Sequence, residues 1–265
     1  MAQDLYIHPS EVRTADRVGF DVRHIDLHDL SDAWHAGLED FSAHPTQKVF
    51  SWLIYPIVGL ALLWAASERS VLPILFPIVS GVALIGPFLG LALNEISRNR
   101  EEGMAISHAQ AFNIFRYPQR GTLLLMGVIL AAIFFAWLTS AAMLYRMTLG
   151  VAPESIGDFV GALFTTQQGW TLIIVGNAVG FIFALVVLSI SVVAFPLIIH
   201  RHATWRAAIL TSVDAVVHNP GVMAIWGLAV GGLLLLGSLP AFIGLAVVIP
   251  ILGHTTWHLY RKVVV

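Results

Sequence analysis

The sequence contains no cysteine, and only 11% of its 265 residues are charged, against about 25% in an ordinary soluble domain. The absence of cysteine excludes disulfides, thiolate metal sites and cysteine nucleophiles. The scarcity of charge excludes a water-soluble globule, because too few charged residues are present to cover the surface of a soluble fold. With 57% hydrophobic residues and a mean hydropathy of +0.81, the chain is expected to expose much of its surface to lipid.

Signals for nucleic-acid binding and for catalysis are also missing. The formal net charge of −2 provides no basic surface of the kind that nucleic-acid-binding proteins use, so no nucleic acid is expected as a partner. The chain has no P-loop, no dinucleotide-binding glycine pattern, no G-x-S-x-G and no HExxH. No enzymatic activity is therefore predicted.

Five runs lack Asp, Glu, Lys and Arg, and each is long enough to enter a bilayer. A hydrocarbon core about 30 Å thick is crossed by roughly 20 helical residues, so the longest run, residues 221–257, is predicted to cross twice and to reverse at 238–240. Five spans with one re-entrant segment are the main alternative. The six predicted spans are residues 49–66, 71–93, 121–144, 170–199, 221–238 and 240–257.

Basic residues set the predicted orientation. With six spans and an inner amino terminus, twelve of the fourteen Lys and Arg residues fall on the inner side, which is where such residues collect. Both ends are therefore predicted to be cytoplasmic. The predicted organisation is a cytoplasmic segment at 1–28, a membrane domain at 29–262 and a cytoplasmic tail at 263–265. No apolar segment precedes residue 49, so no cleavable signal peptide is expected.

Amphipathic segments connect the spans. The first is predicted to begin with a capping box at Asp29 and Asp32 and to present an apolar face of Leu30, Trp34, Leu38 and Phe41, opposite Asp32, His35, Glu39 and Asp40. Ser107 is predicted to cap a second helix, which ends before Pro118. A third carries Trp205, Ile209, Val213 and Val216, and an outer-face helix carries Ile156, Phe159, Val160, Leu163 and Phe164. The predicted fold is an all-α membrane protein with six transmembrane helices, three cytoplasmic-face amphipathic helices and one outer-face amphipathic helix.

Few polar residues lie near the hydrocarbon. Glu95 ends the second predicted span and is expected to form an ion pair with Arg98 or Arg100; the alternative is a substrate or cation site on the inner face. Asn177 lies inside the fourth span between Gly176 and Gly180. An interhelical hydrogen bond at a close helix contact explains it more simply than a substrate path.

All eleven histidines fall in segments predicted to be cytoplasmic or interfacial. His254 and His258 share a helical face, and His200 and His202 end the fourth span. If these ends are neighbours, the four imidazoles form a candidate transition-metal or haem site. The competing interpretation is that histidine lies at the membrane interface because its ring is apolar and its tip is polar. No cofactor is otherwise expected.

Three blocks resemble domain-of-unknown-function family 2189, a family of predicted bacterial integral membrane proteins. The first runs from Gly86 to Gly103 and includes Glu95-Ile96-Ser97-Arg98. The second runs from Pro196 to Trp226, and the third is Gly253-His254-Thr255-Thr256-Trp257-His258-Leu259-Tyr260-Arg261. The chain departs from the expected pattern at Asn94, where an aromatic residue is expected before the glutamate. The resemblance implies a multi-pass protein of the bacterial cytoplasmic (inner) membrane and implies no reaction.

Three functions follow as hypotheses. The first is a non-enzymatic accessory or scaffold subunit of a larger membrane assembly, with a respiratory assembly as one candidate, whose partners are the lipid bilayer and other membrane-protein subunits. The second is a carrier or channel for a small molecule, lined by polar residues of the spans. The third is a metal- or haem-binding membrane protein that uses the four histidines. The lining proposed for the carrier is Thr139, Ser140, Asn177, Ser189 and Ser191.

Overall fold

A computed structural model describes residues 19–43, 77–81, 84, 86–104, 117–150, 155–239 and 242–265. In these residues the chain forms helices and one isolated antiparallel bridge, and it forms no strand. The all-α class is therefore confirmed. The helices are α1 (Leu27–Ala43), α2 (Gly86–Leu89), α3 (Leu91–Glu101), α4 (Arg120–Thr148), α5 (Ile156–Thr165), α6 (Gln167–Ser191), α7 (Ala194–Arg201), α8 (Trp205–His218), α9 (Pro220–Ser238) and α10 (Leu245–Val263).

Among the described residues, three stretches are long and apolar enough to cross a membrane. They are Arg120–Thr148, Gln167–Arg201 and Pro220–Ser238. They coincide with the third, fourth and fifth predicted spans. The first predicted span, 49–66, lies outside the described residues, and the second, 71–93, is described only in part.

Helix α10 differs from the predicted sixth span. It begins at Leu245 and continues to Val263, and it is not among the three candidate spans. Its second half is polar, yet most of that half is buried, including His254, Thr255 and Trp257. The absence of Asp, Glu, Lys and Arg from residues 240–257 is the basis for predicting a sixth span, which stays a prediction. Near its end, His254 and Thr255 pack against protein.

The fourth span is interrupted near its end. Val192 and Val193 separate α6 from α7, whereas a continuous helix was predicted. Pro196 explains the break, because proline donates no backbone hydrogen bond to the preceding turn. The N–H of Val193 donates to Ser212 Oγ at 3.4 Å.

The predicted reversal between the last two helices is present. Helix α9 ends at Ser238 and α10 begins at Leu245. A Cβ on Gly237 would lie 3.2 Å from the carbonyl carbon of Gly244, and one on Gly244 would lie 2.8 Å from the Cα of Gly237. Side chains larger than hydrogen would therefore force the two chain segments apart.

The first surface helix is present, but two details of its prediction were wrong. Its capping box is Asp26 and Asp29, because the N–H of Asp29 donates to Asp26 Oδ1 at 2.9 Å and the N–H of Asp26 donates to Asp29 Oδ2 at 3.4 Å. Its buried stripe is Ala33, Gly37 and Asp40, whereas the predicted apolar face is only half-buried. Small residues are buried because α1 lies very close to α10.

The other surface helices agree with the sequence in position. Ser155 caps α5 by accepting from the N–H of Asp158 at 3.1 Å, and Thr204 caps α8 by accepting from the N–H of Ala207 at 3.3 Å. No residue of α5 is buried. The buried residues of α8 are Ala208, Thr211, Ser212 and Ala215 instead of the predicted apolar stripe. Residues 105–116, which contain the helix predicted after Ser107, lie outside the described residues.

The segment before α1 is held by both α8 and the end of α10. Phe20 N–H donates to Thr211 Oγ1 at 2.9 Å, and Ile25 N–H donates to Asn219 Oδ1 at 2.8 Å. Val22 pairs with Val264 in the antiparallel bridge. Residues about 240 positions apart in the sequence therefore lie together on one side of the molecule.

Candidate functional site

Asp40 lies at the meeting point of three helices and is only 3% exposed. Its Oδ2 is 2.8 Å from His258 Nε2 on α10, and its Oδ1 accepts from Arg100 Nη1 of α3 at 2.5 Å. A buried carboxylate is strongly disfavoured unless it is paired and hydrogen-bonded, so these contacts hold α1, α3 and α10 in a fixed relation. We call Asp40, Ser97, Arg100, His254 and His258 the Asp40 cluster.

Ser97 and His254 complete the cluster and are both fully buried. Ser97 Oγ lies 2.8 Å from His254 Nδ1, and the same ring nitrogen lies 4.0 Å from Asp40 Oδ2. A hydrolytic triad requires the serine and the carboxylate on different nitrogens of the imidazole and a serine that substrate reaches. Because the two partners share Nδ1 and Ser97 is buried, the geometry is structural and does not activate a nucleophile.

The charge state of Asp40 follows from its neighbours. Burial alone would raise the pKa of this carboxyl, but hydrogen bonds from His258 and Ser97 and the pairing with Arg100 outweigh burial and lower the pKa to about 2. Asp40 is therefore ionised throughout the physiological range. Its charge is compensated by Arg100.

A second, more exposed layer of charged residues surrounds the cluster. Glu101 accepts from Trp257 Nε1 at 2.8 Å and from Arg261 Nε at 2.9 Å. Lys262 Nζ donates to Asp32 Oδ2 at 2.7 Å, and this hydrogen bond raises the pKa of Lys262. These contacts again join α1, α3 and α10.

An open cavity of about 270 Å³ lies between these charged residues. Ala33 and Ala36 of α1 line one part of it. The polar lining consists of Asp32, Glu101, His258, Arg261 and Lys262. His258 connects the cavity to the Asp40 cluster, because it lines the cavity and its Nε2 contacts Asp40.

The predicted ion pair of Glu95 is present. Arg98 Nη2 donates to Glu95 Oε1 at 2.7 Å, and both side chains are largely buried. Arg98 Nη1 also donates to the carbonyl of Ile199 at 3.0 Å, which ties α3 to the end of α7. Arg100, the other predicted partner of Glu95, pairs instead with Asp40. Sequence proximity did not reveal that partner, because Asp40 lies 60 residues earlier in the chain.

The four histidines proposed as metal ligands are not arranged as a metal site. His200 Nδ1 lies 2.7 Å from the hydroxyl of Tyr260, and burial raises the pKa of that phenol to about 12, so the hydroxyl keeps its proton. His254 and His258 face Asp40, and His202 ends α7 in the left-handed conformation. Within the described residues, no group of three or more His, Cys, Asp or Glu side chains is placed to hold a metal ion.

Asn177 makes a different hydrogen bond from the one predicted. Its amide donates to the carbonyl of Ile173 in the same helix at 2.7 Å, and the residue is exposed. The flanking glycines do mark a close helix contact. A Cβ on Gly180 would lie 3.1 Å from the Trp137 ring, and one on Gly176 would lie 3.6 Å from Leu144 Cδ2, so this face of α6 packs against α4.

The other polar residues proposed to line a path bond within their own helices. Each hydroxyl donates to the carbonyl four residues earlier, as Ser189 does to Leu185 at 2.8 Å. Only Ser191 among them is buried. Within the described parts of the three candidate spans, these side chains therefore form no polar route. The remaining bonds of this kind are Thr139 to Phe135, Ser140 to Ala136 and Ser191 to Val187.

Comparison with known proteins supports the membrane assignment. The model of the family described as predicted integral membrane protein (DUF2189) matches residues 75–200. The resemblance noted from the sequence is thereby confirmed. The match contains Ser97, Arg98, Arg100 and Glu101, whereas Asp40 and the cluster residues of α10 lie outside it. No curated protein and no solved structure matches the chain.

Proposed function

We propose that this predicted integral membrane protein is a non-enzymatic accessory or scaffold subunit of a larger membrane assembly, with a respiratory assembly as one candidate. Its spans would provide helix faces for partner subunits, and the helices around Asp40 would form a rigid platform beside the membrane. The bacterial cytoplasmic membrane is the proposed location.

The observation that carries this proposal is the small share of two candidate spans, α4 and α9, that the chain itself covers. Only 22% of the spanning window of α4 and 17% of that of α9 are buried inside the structure. The exposed residues include Phe135 and Met143 on α4 and Leu228 and Leu236 on α9. These faces are available to lipid and to the helices of other subunits.

Glycines make one of these faces suitable for close helix contact. A Cβ built on Gly231 or Gly232 of α9 would meet no atom within 4 Å. These two glycines therefore pack against no other part of the described chain. Small residues on an exposed membrane helix allow another helix to approach closely. Within lipid, where the hydrophobic effect between helices is absent, the packing contacts of such a close approach are a main source of association.

The carrier or channel hypothesis receives less support. The polar residues proposed for its lining bond to their own helices, and among them only Ser191 is buried. A transport path needs polar groups that face a shared interior. The described residues offer no such set within the three candidate spans.

Six spans with both ends in the cytoplasm remain part of the proposal. Val22 pairs with Val264, and Arg23 N–H donates to the carbonyl of Val263 at 3.0 Å. Two segments that are hydrogen-bonded to each other lie on the same side of a membrane, so this pairing supports an even number of crossings between them. The distribution of Lys and Arg supports the cytoplasmic side.

Native mass spectrometry of the full chain in mild detergent tests the scaffold proposal. We expect a defined complex with fixed stoichiometry that dissociates in Gly231→Leu and Gly232→Leu, because the new side chains would hold a partner helix away. Leu236→Ile, on the exposed surface of the same helix, is the matched control and should leave the complex intact. A chain that remains monomeric, or a complex unaffected by the glycine variants, contradicts the proposal.

A further inference from the structure

We propose that the cavity lined by Asp32, Glu101, His258, Arg261 and Lys262 binds the zwitterionic head group of a phospholipid that carries a primary ammonium, of the phosphoethanolamine type. The phosphate would lie against Arg261, and the ammonium would lie against Asp32. This binding site is independent of whether the protein serves as a scaffold.

The size of the cavity suits a head group. Its volume of about 270 Å³ is near the lower end of ordinary ligand pockets, which begin at about 300 Å³. Ala33 and Ala36 leave this space open because their side chains are small. The acyl chains of the lipid would remain outside the cavity, in the bilayer.

The charges around the cavity are balanced, which favours a zwitterion over a simple anion. Two carboxylates, Asp32 and Glu101, face two cations, Lys262 and Arg261. A purely anionic ligand would be repelled by the carboxylates, and a purely cationic ligand would be repelled by Arg261 and Lys262. A ligand with both charges meets a favourable partner at each end.

Several polar atoms at the cavity have no partner among the described residues. Arg261 uses only its Nε, toward Glu101, so both terminal amino groups remain available as paired donors to a phosphate. Asp32 uses Oδ2, toward Lys262, so Oδ1 remains available to accept from an ammonium. His258 uses Nε2, toward Asp40, so Nδ1 remains available.

The existing ion pairs would yield to a ligand at low cost. The side chains of Arg261 and Glu101 are 38% and 37% exposed, and those of Lys262 and Asp32 are 33% and 42% exposed. Ion pairs this exposed contribute little to stability, so replacing one with a bond to a ligand loses little. His258 is fixed by its contact with Asp40 and would not need to move when a ligand binds.

The position of the cavity favours a lipid as the source of the head group. Arg98 contacts Ile199 near the end of the span Gln167–Arg201, and Glu101 is one helical turn farther along α3. One helical turn is about 5 Å, so Glu101 lies close to the end of this candidate span. The cavity therefore lies on the side of the molecule where the span ends, which favours a lipid head group as its ligand.

Native mass spectrometry of the delipidated full chain, titrated with short-chain lipids, tests the proposal. The lipids to be compared are phosphatidylethanolamine, phosphatidylcholine and phosphatidylglycerol of equal chain length. Phosphatidylethanolamine should bind about tenfold more tightly than the other two, because only its ammonium donates hydrogen bonds to Asp32. Equal affinities for the three lipids overturn the proposal.

Four variants locate the site. Asp32→Asn should remove the preference for phosphatidylethanolamine over phosphatidylcholine, and Arg261→Gln should weaken the binding of all three lipids about tenfold. Ala36→Leu should fill the cavity and abolish binding, whereas Arg206→Gln, a cation on α8 outside the lining, should change nothing. Because Asp32 and Arg261 are partly exposed, their variants are expected to fold even if Ala36→Leu does not.

A soluble competitor distinguishes the source of the ligand. Free phosphoethanolamine should compete only weakly with the lipid, since it lacks the acyl chains that hold the lipid in the bilayer. Competition at equal affinity would overturn the assignment to a membrane lipid. An unchanged lipid preference in Asp32→Asn would overturn the placement of the ammonium.

Discussion

Asp40 Oδ2 and His258 Nε2 lie 2.8 Å apart although 218 residues separate them in the sequence. The contact joins the first described helix to the last. It also links the buried Asp40 cluster to the charged surface layer, because His258 lines the open cavity. The stability of this region should therefore depend on Asp40 more than on any neighbouring acid of α1.

Replacing Asp40 with asparagine should destabilise the protein by about 2 kcal/mol, because the hydrogen bonds that join this buried carboxylate to Arg100 and His258 would lose its charge. Detergent-induced unfolding, followed by tryptophan fluorescence, measures the change. Glu39→Gln alters the adjacent, exposed carboxylate and is the matched control, with little expected effect. Equal effects of the two variants would show that the Asp40 cluster contributes no specific stability.

Acid should remove the contribution of Asp40. Its pKa is about 2 in the folded protein against an ordinary value of 3.8, so its stabilising effect is complete above about pH 4 and is lost as the pH falls toward 2. The pKa difference corresponds to about 2 kcal/mol. Unfolding free energies measured at several pH values between 5 and 2 should show this loss in the wild type and a flatter profile in Asp40→Asn. Parallel profiles would contradict the assignment.

A single methyl group should separate α1 from α10. A Cβ on Gly37 would lie 2.7 Å from the backbone nitrogen of Thr255, which cannot move without shifting α10. We expect Gly37→Ala to lower the unfolding free energy by about 2 kcal/mol. Gly231→Ala adds the same methyl where no atom lies within 4 Å and should cause no loss. A Gly37→Ala protein as stable as wild type would mean that the helices are farther apart.

Paired cysteines should capture the bridge between Val22 and Val264. The flanking bonds, from Arg23 N–H to Val263 O and from Val265 N–H to Asp21 O, make this a non-hydrogen-bonded pair, in which the two Cα atoms are about 4.5 Å apart. Val22→Cys with Val264→Cys should form a disulfide under mild oxidation, seen as a mobility shift that reductant reverses. The native sequence has no cysteine, so background is absent. Val22→Cys with Val265→Cys is the off-register control, and equal crosslinking of both pairs would argue against this bridge.

Local patterns predicted the parts of the structure that depend on local physics. Spans three to five follow from uncharged runs, and the Glu95–Arg98 pair follows from a spacing of three residues on one helix. The caps of α5 and α8 were not predicted, although they too depend on residues near each helix start. In each case the partners are close in sequence.

The Asp40 cluster was not predicted, because its members lie far apart in the sequence. In the sequence Asp40 belongs to a polar stripe with Asp32, His35 and Glu39, which is typical of a solvent-exposed helix face. It is buried only because Arg100 and His258 arrive from other helices. The small residues Ala33 and Gly37, which share the buried face of α1 with Asp40, were the available signal, since they allow a close helix contact.

Because residues 21–23 pair with residues 263–265, this part of the structure can form only after the last helix has been synthesised. Helix α1 leaves the ribosome more than two hundred residues before α10, and most of its described contacts await that helix. Until α10 has been synthesised, Asp40 and the face of α1 that packs against α10 remain accessible in the nascent chain. Chains truncated before α10 would keep this surface exposed permanently. The exposed surface would distinguish them from complete chains for the proteases that degrade unfinished proteins.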